Sequence, residues 1–209
     1  MQLAQQPSMW DVADEATLTP LAGRVERHHL SAGAWVDHLP GWITGSGEVL
    51  EVLLGDIGWR EDRRQMYERE VAVPRLLRWY GAGETLPHPL LTEARAELDE
   101  YYRPELGEPF VSAGMCLYRG GRDSVAWHGD RIGRGRSGDT MVAIVSFGSP
   151  RPLLLRPASG GSSLRFPLGH GDLVVMGGSC QRTWEHCIPK TTKPVGPRVS
   201  VQFRPRGVA

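Results

Sequence analysis

His128 and Asp130 stand two residues apart in the segment WHGD, and this spacing suits a metal site. If both residues are extended, their side chains lie on the same side of the strand and can bind one ion together. We expect His186 to supply the third ligand. Two imidazoles and one carboxylate on one face of an octahedron leave three positions open, which is the arrangement of non-haem iron(II) oxygenases. A His-x-Asp pair alone also occurs in surface turns, so the prediction needs further support.

Support comes from Arg198 and Arg204, which are six residues apart in the last predicted strand and therefore point to the same face. An inward arginine in a β core is unfavourable unless it meets an anion. A dicarboxylate that also binds the metal would supply that anion. Pairing with a core Asp or Glu would satisfy one of the two arginines as well. The two arginines therefore favour an anionic ligand beside the metal.

Positive charge is concentrated in the second half of the chain, although the formal net charge is +0. Residues 1–109 contain 10 Lys and Arg against 19 Asp and Glu, a balance of −9, and residues 110–209 contain 14 against 5, a balance of +9. Nearly all of these basic residues are Arg, which suits bidentate binding of phosphate or carboxylate. The pattern indicates either a basic face for an anionic polymer or cofactor, or two halves that neutralise each other on folding.

The chain has 209 residues, which fits one domain with a decorated edge or a small N-terminal extension. With 40% hydrophobic and 23% charged residues, it is expected to be globular. No apolar run approaches the roughly 20 residues of a membrane span, and the start is not a signal peptide, so we expect no membrane association. Three cysteines without a CxxC motif are expected to be reduced thiols of a cytoplasmic, intracellular protein: Cys116, Cys180 and Cys187.

Two helices are predicted in the first half of the chain. Ser46 is the expected N-cap of a short helix that ends near Gly55. A second helix is expected to start near Pro89 and to be ended by Pro104 and Gly107. We expect loops at 71–74 and 81–89. The histidines without a metal-ligand pattern are expected at the surface or in helix caps: His28, His29, His38, His88 and His170.

Short apolar runs separated by Gly, Pro, Ser and Arg follow residue 109, and they predict strands. The predicted strands are 110–118, 125–128, 141–147, 152–155, 164–167, 172–176, 182–186 and 198–203. Their spacing favours an all-β sandwich or barrel. Within 199–203 (VSVQF) apolar and polar residues alternate, as in a half-buried strand.

Several motifs follow one another with compatible spacing between residues 110 and 206. They are Tyr118–Gly121 (YRGG), His128–Asp130 (HGD), Val145–Gly148 (VSFG), Leu168–Leu173 (LGHGDL), His186 and Arg198–Arg204 (RVSVQFR). Together they resemble the AlkB family of 2-oxoglutarate oxygenases, which remove alkyl groups from nucleic-acid bases. The segments 73–75 (VPR) and 79–81 (WYG) are similar to a weaker N-terminal part of the same pattern.

The resemblance implies a mainly β fold with flanking helices (α+β), a double-stranded β-helix or jelly roll. We divide the chain accordingly into three parts. Residues 1–22 form a loose lead-in, residues 23–109 an N-terminal extension with helices and a nucleotide-recognition lid, and residues 110–209 the jelly-roll catalytic core.

The implied site contains iron(II) on the two histidines and the aspartate singled out above, which are then also the catalytic residues. Arg198 would bind the distal carboxylate of 2-oxoglutarate, with Tyr118 donating a hydroxyl nearby. Arg204 would lie by the metal-chelating end of the cosubstrate. Cys116 belongs to this pocket and stands where the family usually has an asparagine, so a hydrogen bond to the cosubstrate is expected to be lost or replaced.

The resemblance implies three reactants besides the substrate: iron(II), 2-oxoglutarate and O2. Oxidative decarboxylation of 2-oxoglutarate yields succinate and CO2, and the alkyl carbon on a base nitrogen is hydroxylated. The resulting hemiaminal collapses and releases an aldehyde. This would make the protein a direct-reversal repair enzyme for alkylated DNA, with RNA as an alternative substrate.

The resemblance also implies contacts with alkylated DNA or RNA whose target base is single-stranded or flipped out. Arginines after the metal aspartate would hold phosphates, and aromatic residues of the first half could stack on the base. The candidates are Arg131, Arg134, Arg136, Tyr67 and Tyr80. Trp59 and Trp79 are further aromatic candidates, although aromatic residues at such positions more often belong to a core. We expect a monomer.

Two alternatives stay open from the sequence. The loop after Asp130 is basic where relatives commonly have acidic residues, and the segment 82–87 is short. These features favour the same oxygenase chemistry on RNA, a protein side chain or a small molecule. A non-catalytic jelly-roll binding module is the second alternative, and the predicted metal ligands and both arginines argue against it.

Overall fold

A computed structural model describes residues 15–66, 69–130 and 133–208, without the side chains of residues 63–72 and Arg134. Its helices are α1 (Gly47–Leu54), α2 (Pro89–Leu106) and α3 (Cys180–Thr183), with 3-10 turns at Ser31–Gly33 and Arg134–Arg136. Its strands are β1 (Thr17–Leu18), β2 (Glu26–His29), β3 (Ala34–Leu39), β4 (Ile43–Thr44), β5 (Arg60–Met66), β6 (Arg69–Tyr80), β7 (Phe110–Tyr118), β8 (Val125–His128), β9 (Val142–Gly148), β10 (Arg151–Pro157), β11 (Leu164–Leu168), β12 (Asp172–Gly178), β13 (Trp184–Ile188) and β14 (Arg198–Pro205).

Two antiparallel sheets build the body of the fold. The larger sheet has the strand order β2-β3-β12-β9-β14-β7-β6-β5, and the smaller has the order β11-β10-β13-β8. Apolar side chains from both sheets form one buried cluster, with Ile144 and Val174 from the larger sheet and Leu155 and Ile188 from the smaller. The mainly β jelly roll predicted from the sequence is confirmed.

Strand β14 has two different faces because successive side chains point to opposite sides of a sheet. Val199, Val201 and Phe203 pack into a second buried cluster that also contains residues of α1 and α2. Arg198 and Arg204 lie on the opposite face of the strand and point toward the space between the two sheets. The predicted strand is confirmed, and the helices leave its polar face free to line a site.

Both predicted helices are present, and their ends differ in detail from the sequence prediction. Ser46 precedes α1 but makes no side-chain cap, because its hydroxyl forms a 2.7 Å hydrogen bond with Nε2 of His170. At the start of α2, Nδ1 of His88 accepts the Leu90 backbone N–H (3.2 Å), a capping role as expected. The helix contains Pro104 and ends at Gly107, one of the two residues expected to end it, which has a left-handed φ of 77°.

The loop predicted at 71–74 is wrong, because these residues belong to β6. Proline lacks the N–H that a central strand normally donates, which favours a loop over a strand at Pro74. In the structure, pairing of β6 with β7 begins only at Leu76, and the β5–β6 register shifts between Glu61 and Arg63. Pro74 thus lies where no ladder hydrogen bond is required of it.

Strands from both sides of residue 109 share the larger sheet, so the extension and the core are packed together. At the start of the described chain, β1 pairs with β4 and Leu21 is fully buried. All three cysteines are buried and unpaired. Among the described helices, none combines the length and the apolar character that a membrane crossing requires.

Candidate metal centre

The three predicted metal ligands lie together between the two sheets. Strands β8 and β13 pair so that His128 stands directly opposite His186, with ring centroids 4.2 Å apart. Asp130 follows β8 by two residues, and its Oδ1 is 3.7 Å from Nε2 of His128. Each residue offers one ligand atom, and these atoms all lie within 4.8 Å of one another. This spacing fits a single metal ion.

Neighbouring groups fix the orientation of these side chains. A proton on Nδ1 of His128 is donated to the carbonyl oxygen of Ala126 (2.8 Å), which leaves Nε2 as the ligand atom. The backbone N–H of Asp130 donates to Oε1 of Gln181 (3.0 Å), whose side chain is buried. Gln181 was not predicted, because a contact over 51 residues of sequence leaves no local pattern.

The electrostatics favour the protonation state that metal binding requires. Burial, and next the neighbouring His128, lower the pKa of His186 to about 3, so its imidazole is neutral. Burial alone would raise the pKa of Asp130, but the Arg204 guanidinium outweighs it and the pKa is lowered. Neutral imidazoles and an ionised carboxylate are the forms that bind a metal ion.

Arg204 lies at the metal end of the pocket. Its Nη2 is 3.1 Å from Oδ2 of Asp130, and it also donates to Oε1 of Gln202 (2.6 Å). Arg204 is therefore paired with a core aspartate, which is one of the two possibilities that the sequence left open for these arginines. A Cβ atom on Gly114 would lie 2.7 Å from Nη1 of Arg204, so glycine at this position makes room for the guanidinium.

Arg198 lies deeper in the pocket and is only partly satisfied. Its side chain is 1% exposed, Nε donates to Oγ of Ser146 (2.9 Å), and its guanidinium carbon is 5.3 Å from the Tyr118 ring centre. Nη1 is buried without a hydrogen-bond partner among the described residues. Burial lowers the pKa of Arg198, as expected of a charge that is poorly compensated. A carboxylate fits this unpaired donor.

Tyr118 and Cys116 line the same stretch of β7. Burial, and next the neighbouring Cys116, raise the pKa of Tyr118 to about 12, so its hydroxyl keeps its proton and can act as a donor. Gln202 on β14 reaches across, and its Nε2 donates to Oγ of Ser200 (3.1 Å) and to Sγ of Cys116 (3.4 Å). Gln202 therefore places a carboxamide between the two arginines.

The protein residues predicted to contact nucleic acid differ in where they lie in the structure. Arg131 and Tyr67 lie outside the described residues, as does the side chain of Arg134. Arg136 is exposed on its 3-10 turn. Tyr80 is 6% exposed and belongs to the core cluster with α2, so the expectation that its ring stacks on a base is wrong.

A jelly roll with two imidazoles and a carboxylate between its sheets defines the class of non-haem iron oxygenases. The sequence profile of the 2OG-Fe(II) oxygenase superfamily matches residues 47–204. The chain is 32% identical over 187 residues to the human protein named alpha-ketoglutarate-dependent dioxygenase alkB homolog 3, covering 76% of this chain and 63% of that protein. It is 34% identical over 133 residues to the Arabidopsis thaliana protein named DNA oxidative demethylase ALKBH2, covering 51% and 41%.

Among solved structures, a prolyl hydroxylase from Trichoplax adhaerens superposes with a TM-score of 0.60 at 14% identity, covering 81% of this chain and 82% of that chain. At this identity the likeness supports the jelly-roll fold alone. The chain belongs to the 2OG-Fe(II) oxygenase superfamily, and within it to the AlkB-like proteins. Members of the superfamily use iron(II), 2-oxoglutarate and O2.

Proposed function

We propose that this protein is an iron(II)- and 2-oxoglutarate-dependent dioxygenase that oxidatively removes alkyl groups from nucleobases in DNA. One observation carries the proposal: the ligand atoms of His128, Asp130 and His186 meet within 4.8 Å, next to a pocket that contains the unpaired Arg198 donor. The chain spans 63% of the human relative's length, so its activity and substrate remain proposals. The similarity to the Arabidopsis protein named DNA oxidative demethylase ALKBH2 supports DNA as the substrate.

In this proposal His128, Asp130 and His186 hold the iron. When bound with 2-oxoglutarate and O2, the iron supplies an oxidation that hydroxylates an unactivated carbon. The protein's residues keep the ligands in place: Ala126 fixes the tautomer of His128, and Gln181 holds the backbone of Asp130. Arg204 pairs with the carboxylate oxygen Oδ2 and keeps Asp130 ionised.

Arg198, Tyr118 and Ser146 would hold 2-oxoglutarate. The Arg198 guanidinium supplies the charge and the unpaired Nη1 donor for a carboxylate, and Ser146 fixes its orientation through Nε. Tyr118 stays protonated and can donate to the same anion. Because the pocket is buried between the sheets, it excludes water from the cosubstrate. Each of these contacts favours an anionic, two-ended ligand over a neutral one.

The substrate would approach from the exposed side of the metal centre as a single-stranded or flipped base. The basic second half of the chain, including Arg136, suits the phosphates of a nucleic-acid strand. We further propose that the protein acts as a cytoplasmic monomer. Because the loop after Asp130 is basic, we keep RNA as a second candidate substrate.

Mass spectrometry of a pooled set of methylated DNA and RNA oligonucleotides tests the proposed function. After turnover with iron(II), 2-oxoglutarate and ascorbate, we expect one or more DNA oligonucleotides to lose a methyl group and an equal amount of formaldehyde to appear. Turnover of 2-oxoglutarate without any change in the pool would contradict dealkylation and favour a protein or small-molecule substrate. Loss of methyl groups from RNA alone would replace DNA by RNA.

A further inference from the structure

The strand that carries His128 is short and lies at an edge of its sheet. Strand β8 has four residues and stands at the end of the smaller sheet, where β13 is its neighbour. Its pairing with β13 is irregular, because the register shifts between His186 and Ile188. Strand β13, in contrast, lies between β8 and β10. A short edge strand with an irregular ladder opens more readily than an interior strand, so other contacts must hold His128 in place.

Three side chains on the outer face of the smaller sheet connect β8 to its neighbours. Successive side chains point to opposite sides of a strand. Trp127 and Glu185 directly precede the two metal-binding histidines and therefore point outward. Arg156 on β10 is the register partner of Glu185 and shares this outer face. We call these three residues the outer cluster, and the smaller sheet separates it from the metal centre.

Arg156 occupies the middle of the outer cluster. Its guanidinium carbon lies 4.2 Å from the centre of the Trp127 ring, which is a cation–π contact. Its Nε and Nη2 donate to Oε2 of Glu185 at 3.3 and 3.0 Å. Strands β8 and β10 do not pair with each other, since β13 stands between them. The Arg156 side chain therefore spans three strands and ties the edge strand to two interior ones.

The exposure of the outer cluster suits contacts that hold a strand rather than contacts that build a core. The side chains of Arg156 and Glu185 are 35% and 22% exposed, and Trp127 is half-buried. A partly exposed ion pair adds little to global stability. Stacking of the planar guanidinium on the indole, however, fixes both groups relative to each other. Removal of Arg156 is therefore expected to loosen β8 without unfolding the sheet.

We propose that Arg156 is a positioning residue of the metal centre, which fixes His128 through the Trp127 ring. The inference rests on the proposed function, because it concerns how the iron ligands are held. The ring centres of His128 and His186 are 4.2 Å apart across the β8–β13 pair. A displacement of β8 changes this separation, whereas His186 keeps its place on an interior strand. Arg156 acts from the outer face, so it changes the geometry of the ligands rather than their chemistry.

Binding of manganese(II), followed by electron paramagnetic resonance of the free ion, tests this role without turnover. We expect Arg156→Ala to weaken manganese binding about tenfold, as is common when a group that orients a metal ligand is removed. The unfolding temperature of the metal-free variant should stay close to that of wild type. The matched control is Arg165→Ala, which removes an exposed arginine from β11, beyond β10 on the same face.

A double-mutant cycle tests the path through the indole. Trp127→Leu alone, and combined with Arg156→Ala, should bind manganese about as weakly as Arg156→Ala, because each variant removes the same contact. Trp127→Phe keeps a flat ring, and Arg156→Lys keeps the charge beside Glu185 but has no planar group to stack. Both conservative variants should bind more weakly than wild type and more tightly than the truncated variants, and they preserve the comparison if a truncated variant does not fold.

Hydrogen exchange of the metal-free protein reports on the strand itself. Amides of residues 125–128 should exchange faster in Arg156→Ala than in wild type, and those of β11 at the same rate. The proposal is overturned if β8 exchanges as in wild type, if Arg165→Ala loses as much affinity, or if Arg156→Ala lowers only the unfolding temperature. Wild-type protein that binds no manganese would refute the metal centre and the proposed function. Manganese binding that is unchanged by Arg156→Ala would refute the positioning role alone.

Discussion

Arg198 carries a charge that the folded protein does not fully compensate. It is buried, and its Nε donates to the Ser146 hydroxyl (2.9 Å), whereas Nη1 is buried without a hydrogen-bond partner among the described residues. A buried, incompletely paired charge is costly to folding, so its presence is explained best by a ligand. The residue therefore links the stability of the ligand-free protein to the affinity for the cosubstrate.

We predict that Arg198→Leu separates these two properties. The ligand-free variant should unfold at the same temperature as wild type or higher, because the buried charge is gone. Its affinity for 2-oxoglutarate should fall about 100-fold, in line with the loss of one buried charged hydrogen-bond partner. Thermal unfolding with manganese(II) in place of iron, with and without 2-oxoglutarate, measures both. Equal stabilisation by 2-oxoglutarate in the variant and the wild type would contradict this role. The control is Arg165→Leu, which removes an exposed arginine.

At the scale of elements, the pairing of β14 with β7 and of β7 with β6 places Arg204 and Trp79 over the same glycine. A Cβ atom on Gly114 would lie 2.7 Å from Arg204 Nη1 and 3.3 Å from the Trp79 ring. We predict that Gly114→Ala displaces the guanidinium from Asp130 and weakens iron(II) binding about tenfold, as changes next to metal ligands commonly do. Gly120→Ala is the control, because there the nearest atom is 3.8 Å away. Iron titration that gave equal affinities for Gly114→Ala and wild type would rule out this packing argument.

His38 lies on β3 and is half-buried. The expectation that it lies at the surface or in a helix cap is therefore wrong. Its Nε2 is buried without a hydrogen-bond partner among the described residues, and its ring meets Phe166 edge-on at 5.8 Å. Burial lowers the pKa of His38, with His28 acting in the same direction and Asp172 opposing it. Protonation would place a charge at this unpaired nitrogen.

This arrangement predicts how stability depends on pH. Because the pKa of His38 is lower in the folded state, the unfolded chain binds more protons between that pKa and the unfolded value of about 6.5. Its contribution to stability is therefore complete above about pH 6.5 and is lost as the pH falls below it. His38→Phe should flatten the dependence of unfolding free energy on pH in this range, whereas the exposed-site control His29→Phe should not. Denaturant unfolding at several pH values measures the slopes, and identical slopes for His38→Phe and wild type would contradict the prediction.

The sequence predicted helices α1 and α2 and most strands after residue 109 because their signals are local, but it missed β3, β5 and β6 in the first half. Alternation in β14 and the short apolar runs before it depend on neighbouring residues. Contacts between distant strands could not be predicted in this way, and the hydrogen bond between Gln181 and Asp130 is one example. Trp79 and Tyr80 show the same limit: adjacent residues of a strand face opposite sides, and the pairing of Trp79 with Gly114 decides which ring is exposed.

On the scale of the whole molecule, the two halves carry opposite charge, −9 and +9. Some of the charges are paired within one half, as in the pair of Arg27 with Asp37 (2.7 Å). Pairs between the halves also occur, such as Arg119 with Glu61 (3.8 Å). Exposed arginines of the second half, including Arg136 and Arg206, lie on two turns that the β-bridge between Gly133 and Val208 joins.

The basic side predicts a strong dependence of DNA binding on salt. Each phosphate contact on a single strand contributes a slope of about −0.7 in log K against log salt, so three contacts would give about −2. Binding measured over a range of salt concentrations should show a slope at least this steep. A methylphosphonate strand without backbone charge should lose most of the slope. A slope near zero for the natural strand would mean that the arginines serve only to neutralise the acidic half.

The central claim is that His128, Asp130 and His186 bind iron(II) in a way that lets 2-oxoglutarate chelate it beside Arg198. Visible absorption of the protein under anaerobic conditions tests this claim most directly, because chelation of iron(II) by 2-oxoglutarate gives a charge-transfer band. We predict a saturable band for the wild type and for the exposed-site control His29→Ala, and no band for His186→Ala. A band of unchanged strength in His186→Ala would show that the iron is bound elsewhere and would contradict the account.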